Sequence, residues 1–360
     1  MKEAEGIRVA IIGAGYMGSA HARVVSRIAA ENPGLATLAY IVDVDQYRAK
    51  TTAARYGGKP LTSIRELPRK PADLAIIAVP TKHHLQAFTE LIEKEVEAIL
   101  VEKPMTLTLR EAEKMLDTAK EAGIWVAVGH IERYNPALQS LRSILVKGRL
   151  GKPLTLTSRR VGPYAPRAGD TDVIYDLGIH EVDTALTLYS TIPENIKAYT
   201  LQSIVTNLND YALTILGFPQ GFASIEVNRL TPFKQRTLYL TTTKGVATLD
   251  YMKQTLTLYT EEEESHIRVK REEPLYVEDL DTILRLTSKK KPLVTIEQGF
   301  TAMLVCSAAI KSAQEKRDIT LKDYEPYSRH EDTVKTALHE LAENQQPETS
   351  PLNQTRHTSP

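Results

Sequence analysis

The sequence contains a single cysteine, Cys306, among 360 residues. One thiol can form neither a disulfide within the chain nor a cysteine-based metal cluster. Cys306 lies in an apolar run, residues 302–306, so we interpret it as a small core residue rather than a nucleophile. The shortage of cysteine therefore excludes a disulfide-stabilised scaffold and a thiolate metal centre.

An excess of charge of either sign is also absent. The 45 Lys and Arg residues balance 45 Asp and Glu residues, so the formal net charge is zero. A neutral chain has no overall field that would attract nucleic acid or an anionic membrane. We therefore expect no nucleic-acid partner, although a local basic pocket for one anionic ligand is still allowed.

Long apolar segments are missing as well. The first apolar run, residues 7–12, is too short to cross a bilayer or to form the core of a signal peptide, and it leads straight into a glycine motif. These features predict a cytoplasmic protein without a membrane partner. The length of the chain and its 42% hydrophobic and 25% charged residues suit a globular protein of two domains.

The pattern of hydrophobic residues changes between residues 130 and 150. Before that point, Val- and Ile-rich runs alternate with helical stretches, which predicts a parallel sheet with helices on both faces. The expected strands are 7–12, 35–42, 74–79, 98–101 and 124–128, and the expected helices are 16–30, 46–56, 83–95 and 108–122. Beyond it, segments such as 154–158, 210–215 and 236–242 alternate polar and apolar residues, which is typical of an antiparallel sheet with one buried face.

The chain is therefore predicted to be an α/β protein. An N-terminal Rossmann domain with a doubly wound parallel sheet is expected over residues 1–130, and a C-terminal α+β domain with a large open antiparallel sheet over 131–325. Helices are expected near 174–189, 276–288 and 297–315. A helical extension over 326–344, with its helix near 329–343, and a disordered tail over 345–360 should follow.

Gly13, Gly15 and Gly18 form a G-x-G-x-x-G motif between a predicted strand and a predicted helix. In that context the glycines permit a tight turn, the approach of a pyrophosphate to the backbone, and close helix–strand packing. Asp43 follows the second strand, where a carboxylate can bind both adenosine ribose hydroxyls and favours NAD over NADP. Asp45 is the alternative if the register is shifted.

Further cofactor contacts are expected where the parallel strands end, since open α/β sheets bind ligands at that edge. Direct contact and simple helix-start packing are both open for His83 and His84. The predicted cofactor-binding residues are Gly13, Gly15, Tyr16, Met17, Gly18, Asp43, Pro80, Thr81, His84, Glu102 and Lys103.

Lys103 lies between Glu102 and Pro104 at the end of the fourth long strand. A residue before proline is kept out of the α region, which could aim the ammonium group into the cleft, and a cis Lys103–Pro104 bond is compatible with the sequence. On the later helix, Asp176, His180 and Asp183 follow an i, i+4, i+7 spacing that places them on one face.

A carboxylate beside His180 would orient the imidazole and favour its protonated form, which suits acid/base catalysis. The spacing alone is more typical of a surface His–Asp pair. A zinc site would lack a third ligand at a convincing spacing, so we predict no metal.

Taken together, these motifs resemble the glucose–fructose oxidoreductase and inositol dehydrogenase family over about residues 7–320. The resemblance implies NAD-dependent oxidation of a ring hydroxyl and a homodimer or homotetramer formed through the C-terminal sheet. It implies three catalytic residues. Lys103 positions the substrate hydroxyl, His180 is the acid/base, and Asp176 supports the site.

Segments 129–136 and 158–167 are similar to the branch of this family that oxidises UDP-N-acetylglucosamine at its 3-hydroxyl. Arg160 and Arg167 could bind the diphosphate of such a substrate bidentately, and both also fit ordinary solvated arginines. The expected substrate-binding residues are Arg133, Asn135, Arg160, Tyr164, Arg167, Asp172, Tyr175 and His180. The alternatives are a dehydrogenase of inositol or another free sugar, and an NAD-binding regulator without turnover.

Overall fold

The computed structural model describes residues 6–164, 171–203 and 208–343. Its first part is a parallel sheet of six strands with the order β3-β2-β1-β4-β5-β6. The strands are β1 (Ile7–Ile12), β2 (Ala36–Val42), β3 (Lys59–Leu61), β4 (Leu74–Ile77), β5 (Ala98–Glu102) and β6 (Trp125–Gly129). The helices between them are α1 (Tyr16–Glu31), α2 (Gln46–Tyr56), α3 (His84–Glu93) and α4 (Leu109–Ala122). This strand order confirms the predicted Rossmann fold.

Burial and capping explain why these segments adopt the predicted structure. Every residue of β4 and β5 is buried, as expected for strands covered by helices on both faces. Helix α4 begins at a capping box, in which the Thr108 side chain and the Glu111 side chain each bond the other residue's backbone N–H. It ends at Gly123, whose left-handed backbone conformation suits glycine.

A second sheet of nine strands follows, with the order β14-β13-β12-β11-β7-β10-β9-β8-β15. Along β9, half-buried and buried residues alternate, so one face of this sheet is covered and the other is free. The strands are β7 (Pro153–Pro163), β8 (Asn195–Leu201), β9 (Tyr211–Phe218), β10 (Gly221–Asn228), β11 (Leu230–Thr242), β12 (Gly245–Asp250), β13 (Thr255–Tyr259), β14 (Glu264–Ile267) and β15 (Ile319–Thr320).

The second sheet is mixed and not wholly antiparallel. β7 and β10 pair in parallel, whereas every other neighbouring pair is antiparallel. The chain between β7 and β10 contains a helix and two strands, which makes the crossover long enough for parallel pairing. The alternation of polar and apolar residues in β7 indicates one buried face, but it does not indicate the direction of the neighbouring strand.

The remaining helices fill the covered side of the second sheet and join it to the first. They are α5 (Pro136–Val146), α6 (Ile179–Tyr189), α7 (Pro274–Thr287), α8 (Ile296–Glu315), α9 (Glu325–Arg329) and α10 (Glu331–Glu343). Helix α7 packs against α1, where Leu275, Tyr276 and Leu280 share a buried cluster with Val25 and Ile28. A segment that follows the second sheet thus completes the core of the first, and the expected domain boundaries at 130 and 325 stay predictions.

The helix predicted near 329–343 is α10. Val334, Ala337 and Leu341 are buried on one side of it, and Glu340 accepts a hydrogen bond from Thr295 at 2.6 Å. The tail predicted over 345–360 lies outside the described residues. Within the ranges that the structure describes, no helix is both long enough and apolar enough to cross a membrane.

Candidate active site

The glycine motif forms the turn between β1 and α1. Gly13 has a φ of +98°, and a Cβ on Gly18 would lie 1.7 Å from the carbonyl oxygen of Gly13, so both positions require glycine. A Cβ on Gly15 would meet nothing within 4 Å. The backbone therefore leaves open space in front of the first turn of α1, where free N–H groups can bind a pyrophosphate. This geometry fits a dinucleotide cofactor.

Asp43 and Asp45 have different roles at the end of β2. Asp43 accepts a hydrogen bond from Ala14 N at 2.6 Å, which places its carboxylate against the glycine turn. Asp45 instead caps α2 by accepting hydrogen bonds from the backbone of Tyr47 and Arg48. The arrangement favours Asp43 as the ribose-binding residue. Around the same groove, Tyr16 and Pro80 are exposed, and Met17 and Thr81 are half-buried.

His84 is buried, and its Nε2 lies 2.9 Å from the carbonyl oxygen of Val79. Burial lowers its pKa below the usual value, so the ring is neutral and donates its proton to that carbonyl. A ring enclosed in this way cannot reach a cofactor. The structure therefore corrects the expected cofactor contact to the packing role that the sequence also allowed, and His83 is exposed.

Lys103 follows β5, and the bond between Lys103 and Pro104 is cis. Its Nζ donates to the backbone oxygen of Asp176 at 2.8 Å and to Asp176 Oδ1 at 3.1 Å. Its backbone N–H donates to Glu102 Oε2 at 3.0 Å. Glu102 is buried and faces inward, so the structure gives it a contact with the Lys103 backbone in place of the expected cofactor contact.

Asp176 lies between two cations. Arg229, which follows β10, donates to Asp176 Oδ2 at 2.9 Å on the side opposite Lys103. Burial raises the pKa of Asp176, but the charges of Lys103 and Arg229 outweigh it and hold that pKa below the usual value. Sequence analysis missed Arg229 because only the folded chain brings the end of β10 to this carboxylate.

The regular helix expected over 174–189 is not what the structure contains. Residues Ile174–Gly178 form a π-helical turn, and α6 begins only at Ile179. A π turn widens the helix and changes its phase, so the expected i, i+4, i+7 face does not apply. Asp176 pairs with Lys103 and Arg229 rather than with His180.

His180 is buried, and its Nδ1 has no hydrogen-bond partner among the described residues. Its pKa is held well below 6.5, first by burial and then by four neighbouring basic groups, Lys103, Arg160, His130 and Arg236. This corrects the expectation that a carboxylate would favour the protonated ring. A neutral imidazole can accept a proton, and Nε2 is the nitrogen left available to a substrate.

Arg133 and Asn135 are engaged inside the protein. Arg133 forms a bidentate pair with Asp183, with both N–O distances 2.7 Å, and both side chains are buried. Asn135 caps α5 and donates hydrogen bonds to Glu132 and to the backbone oxygen of Tyr251. These contacts replace the substrate contacts that the sequence predicted for both residues.

Arg160 is likewise paired internally. Its guanidinium donates to Glu181 at 2.6 Å and to Glu132 at 2.7 Å, and its side chain is only 3% exposed. Arg236 lies opposite Arg160 on β11, and its side chain is 39% exposed, with Nη1 4.0 Å from Glu132. Of these two cross-strand partners, Arg236 is therefore the more accessible. Sequence analysis could not single it out, because its position depends on the β7–β11 register.

The other residues expected to bind the substrate are Tyr164, Arg167, Asp172 and Tyr175. Tyr175 is buried against Ser307, and burial raises the pKa of its hydroxyl. Asp172 accepts hydrogen bonds from Ile174 N and from the Asn209 side chain, next to the start of the π-helical turn. Tyr164 is half-buried, and Arg167 lies outside the described residues.

Comparison with known proteins gives a consistent picture. A family model described as "Oxidoreductase family, NAD-binding Rossmann fold" matches residues 7–130, and the GFO/IDH/MocA C-terminal domain matches residues 138–248. UDP-N-acetylglucosamine 3-dehydrogenase of Acidithiobacillus ferrooxidans is 30% identical over 70% of this chain and 77% of its own length. A solved structure of the enzyme of that name from the same species superposes with a TM-score of 0.78 at 25% identity, covering 86% of this chain and 98% of that one. Myo-inositol 2-dehydrogenase of Thermotoga maritima is 26% identical over 88% of this chain and 99% of its own length.

The low pKa of His180 predicts how the rate of oxidation depends on pH. A base acts in its deprotonated form, so oxidation should decline on the acid side only below pH 6.5, the ordinary value for histidine. Arg236→Gln removes a charge that lowers this pKa, and the acid limb of kcat/KM should move to higher pH. Arg159→Gln, on the opposite face of β7, is the matched control. An acid limb that stays in place in R236Q would contradict the assignment.

Proposed function

Because the chain belongs to the GFO/IDH/MocA family and is an NAD-dependent sugar oxidoreductase, we propose that it oxidises a nucleotide sugar at a ring secondary hydroxyl. UDP-N-acetylglucosamine, oxidised at C3 to the 3-keto sugar, is the preferred substrate. The observation that carries the chemistry is the pairing of Lys103 with Asp176 beside the neutral base His180.

In this proposal the protein's own groups handle the hydroxyl proton and the developing negative charge. Two N–H groups of the Lys103 ammonium are held by Asp176, which leaves the third to donate to the substrate oxygen. His180 accepts the hydroxyl proton through Nε2. Arg229 fixes Asp176 from the other side, so the ammonium is oriented before the substrate arrives.

The cofactor supplies the hydride acceptor. Asp43 would hold the adenosine ribose, and the Gly13–Gly18 turn with the first turn of α1 would hold the pyrophosphate. Asp43 is the group that favours NAD over NADP, since its carboxylate would repel a ribose phosphate.

Two observations support an anionic nucleotide sugar over a neutral polyol. The relative that is 30% identical acts, by its name, on UDP-N-acetylglucosamine. Arg236 also provides a partly exposed guanidinium within electrostatic reach of His180, where a substrate phosphate could bind. The inositol dehydrogenases among the relatives make a free polyol the second candidate.

The direct test is NADH formation on mixing the protein and NAD with UDP-N-acetylglucosamine, UDP-glucose, myo-inositol or glucose. We expect NADH with the UDP-amino sugar, and Lys103→Met should lower kcat by about 10²–10⁴-fold while leaving NAD binding intact. Lys82→Met, at an exposed position, is the control. NADH with inositol alone would overturn the nucleotide-sugar proposal. Tight NAD binding without turnover of any substrate would favour the alternative of an NAD-binding regulator without catalytic activity.

Arg236 allows the substrate class to be tested separately. Loss of a charged hydrogen bond to phosphate in Arg236→Gln should raise the KM for UDP-N-acetylglucosamine by about tenfold or more, measured where His180 is fully deprotonated. The KM of NAD should not change, and Arg159→Gln should behave like the wild type. An unchanged KM for the nucleotide sugar in R236Q would remove Arg236 from the substrate site.

We also propose that the chain forms a homodimer or homotetramer through the free face of the second sheet. Large side chains are exposed on one face of this sheet, including Tyr199, Phe222 and Tyr239. Light scattering should give a mass of at least two chains, and the double variant F222E/Y239E should shift the particle towards one chain. Tyr47→Glu, exposed on α2, should leave the mass unchanged. A wild-type mass equal to one chain would disprove the proposal.

A further inference from the structure

His21 connects three elements behind the candidate active site. It lies on α1, three residues after Gly18, and its side chain is 0% exposed. Its Nδ1 is 2.9 and 3.0 Å from the two carboxylate oxygens of Asp279 on α7, and its Nε2 is 3.1 Å from Glu102 Oε1 at the end of β5. One ring thus joins the helix of the glycine motif, the strand that ends at Lys103 and the helix that returns from the second sheet.

The hydrogen bonds define the protonation state of this ring. Ionised carboxylates only accept hydrogen bonds, so both nitrogens of His21 must carry protons. Burial lowers the pKa of His21, but Asp279 and Glu102 together raise it well above 6.5. His21 and Lys103 likewise hold the pKa of Glu102 below its usual value against the effect of burial. Burial raises the pKa of the neighbouring Glu278, and it raises that of Asp279 against the lowering effect of His21.

The chain of contacts continues to the candidate catalytic lysine. Glu102 uses Oε1 for His21 and Oε2 for the backbone N–H of Lys103, so its orientation is fixed at both ends. The Lys103 side chain then extends from that backbone to Asp176. A displacement of the Glu102 carboxylate would therefore move the backbone from which the ammonium reaches the substrate.

We propose that His21 is a positioning residue for the dehydrogenase reaction, because its doubly hydrogen-bonded ring fixes Glu102 and thereby the backbone of Lys103. The same ring also holds α1, whose first turn faces the cofactor groove, against that backbone. His21 thus sets the distance between the cofactor-binding helix and the catalytic lysine, and it does so without contacting NAD or the sugar. The proposal rests on the dehydrogenase activity of the family and is independent of the sugar.

A metal ion is the competing explanation for this cluster. Ligand atoms of His21, Glu278 and Asp279 lie within 4.8 Å of one another. A metal, however, needs a ring nitrogen with a free lone pair, whereas both nitrogens of His21 face carboxylate oxygens at hydrogen-bond distance. The geometry therefore favours protons over a metal.

The proposal is tested by steady-state kinetics of the His21→Gln variant. The substrate is the sugar that yields NADH with the wild-type protein in the assay described above. We expect kcat to fall by about 10- to 100-fold from misplacement of Lys103, with the KM values of NAD and sugar changing by less than threefold. Glu102→Gln should have a similar effect, and the double variant should be no worse than either single variant, because both act through one chain of contacts. Ile28→Ala, in the core on the same helix, controls for loss of stability.

The outcomes that would overturn the proposal are distinct. An unchanged kcat in folded H21Q would remove His21 from catalysis, and a raised KM for NAD at constant kcat would make it part of the cofactor site instead. Additive losses in H21Q/E102Q would show that the two residues act separately. Should H21Q fail to fold, Asp279→Asn keeps the shape of the partner and should lower kcat in the same pattern; an unchanged kcat in D279N would count against the proposal.

Protonation can be measured without any substrate. The ¹⁵N shifts of His21 should report two protonated nitrogens at neutral pH, and a single protonated nitrogen would contradict the assignment.

The raised pKa means that the stabilisation by His21 is complete below pH 6.5 and is lost as pH rises through the folded-state pKa. The difference in unfolding free energy between wild type and H21Q should therefore shrink at alkaline pH. A fall in melting temperature on adding a chelator would favour the metal.

Discussion

The ion pair between Lys103 and Asp176 joins the end of the parallel sheet to the π-helical turn that packs on β10 of the second sheet. Lys103 comes from the edge of the parallel sheet, and Asp176 comes from the π-helical turn that precedes α6. Arg229 makes a further contact with the carboxylate, and Glu102 accepts a hydrogen bond from the backbone N–H of Lys103. The pair thus links the two parts of the molecule at the candidate active site.

Several buried charges around the pair have partners of opposite charge within the protein. Arg133 is matched by Asp183, and Arg160 is matched by Glu132 and Glu181, all of them buried. Buried pairs of this kind contribute little net stability, because desolvation offsets their attraction, but they hold fixed orientations. His180 stays neutral among them. The environment therefore changes little when charge develops on a substrate oxygen, which is the condition for electrostatic preorganisation.

Much of this organisation could be predicted from local sequence. The G-x-G-x-x-G motif, the apolar strands and the segment around Lys103 depend on neighbours in the chain, and the structure places them as expected. The π-helical turn could not be predicted, because the spacing of Asp176 and His180 indicates a shared face only if the helix is regular. The internal ion pairs of Arg133 and Arg160 could not be predicted for a different reason. Their partners are chosen by tertiary packing, and an arginine looks the same in sequence whether it faces a phosphate or a buried carboxylate.

Contacts between distant parts of the chain were the hardest to predict from the sequence. His21 and Asp279 are 258 positions apart, and the exposure of Arg236 depends on a strand register. Neither the spacing nor the composition of the sequence marks such pairs. The parallel pairing of β7 with β10 belongs to the same class, since the buried face of a strand gives no information on the direction of the strand beside it.

The return of α7 to α1 has a consequence for biosynthesis. The strands of the parallel sheet are complete once residue 129 has been made, yet the cluster on one face of that sheet stays incomplete until residues 274–287 emerge from the ribosome. At 5–20 residues per second this interval is roughly 10–30 s. During it, His21 lacks its Asp279 partner, and the side chains of α1 that pack on α7 are exposed. Apolar surface exposed in this way makes a partly synthesised chain prone to aggregation.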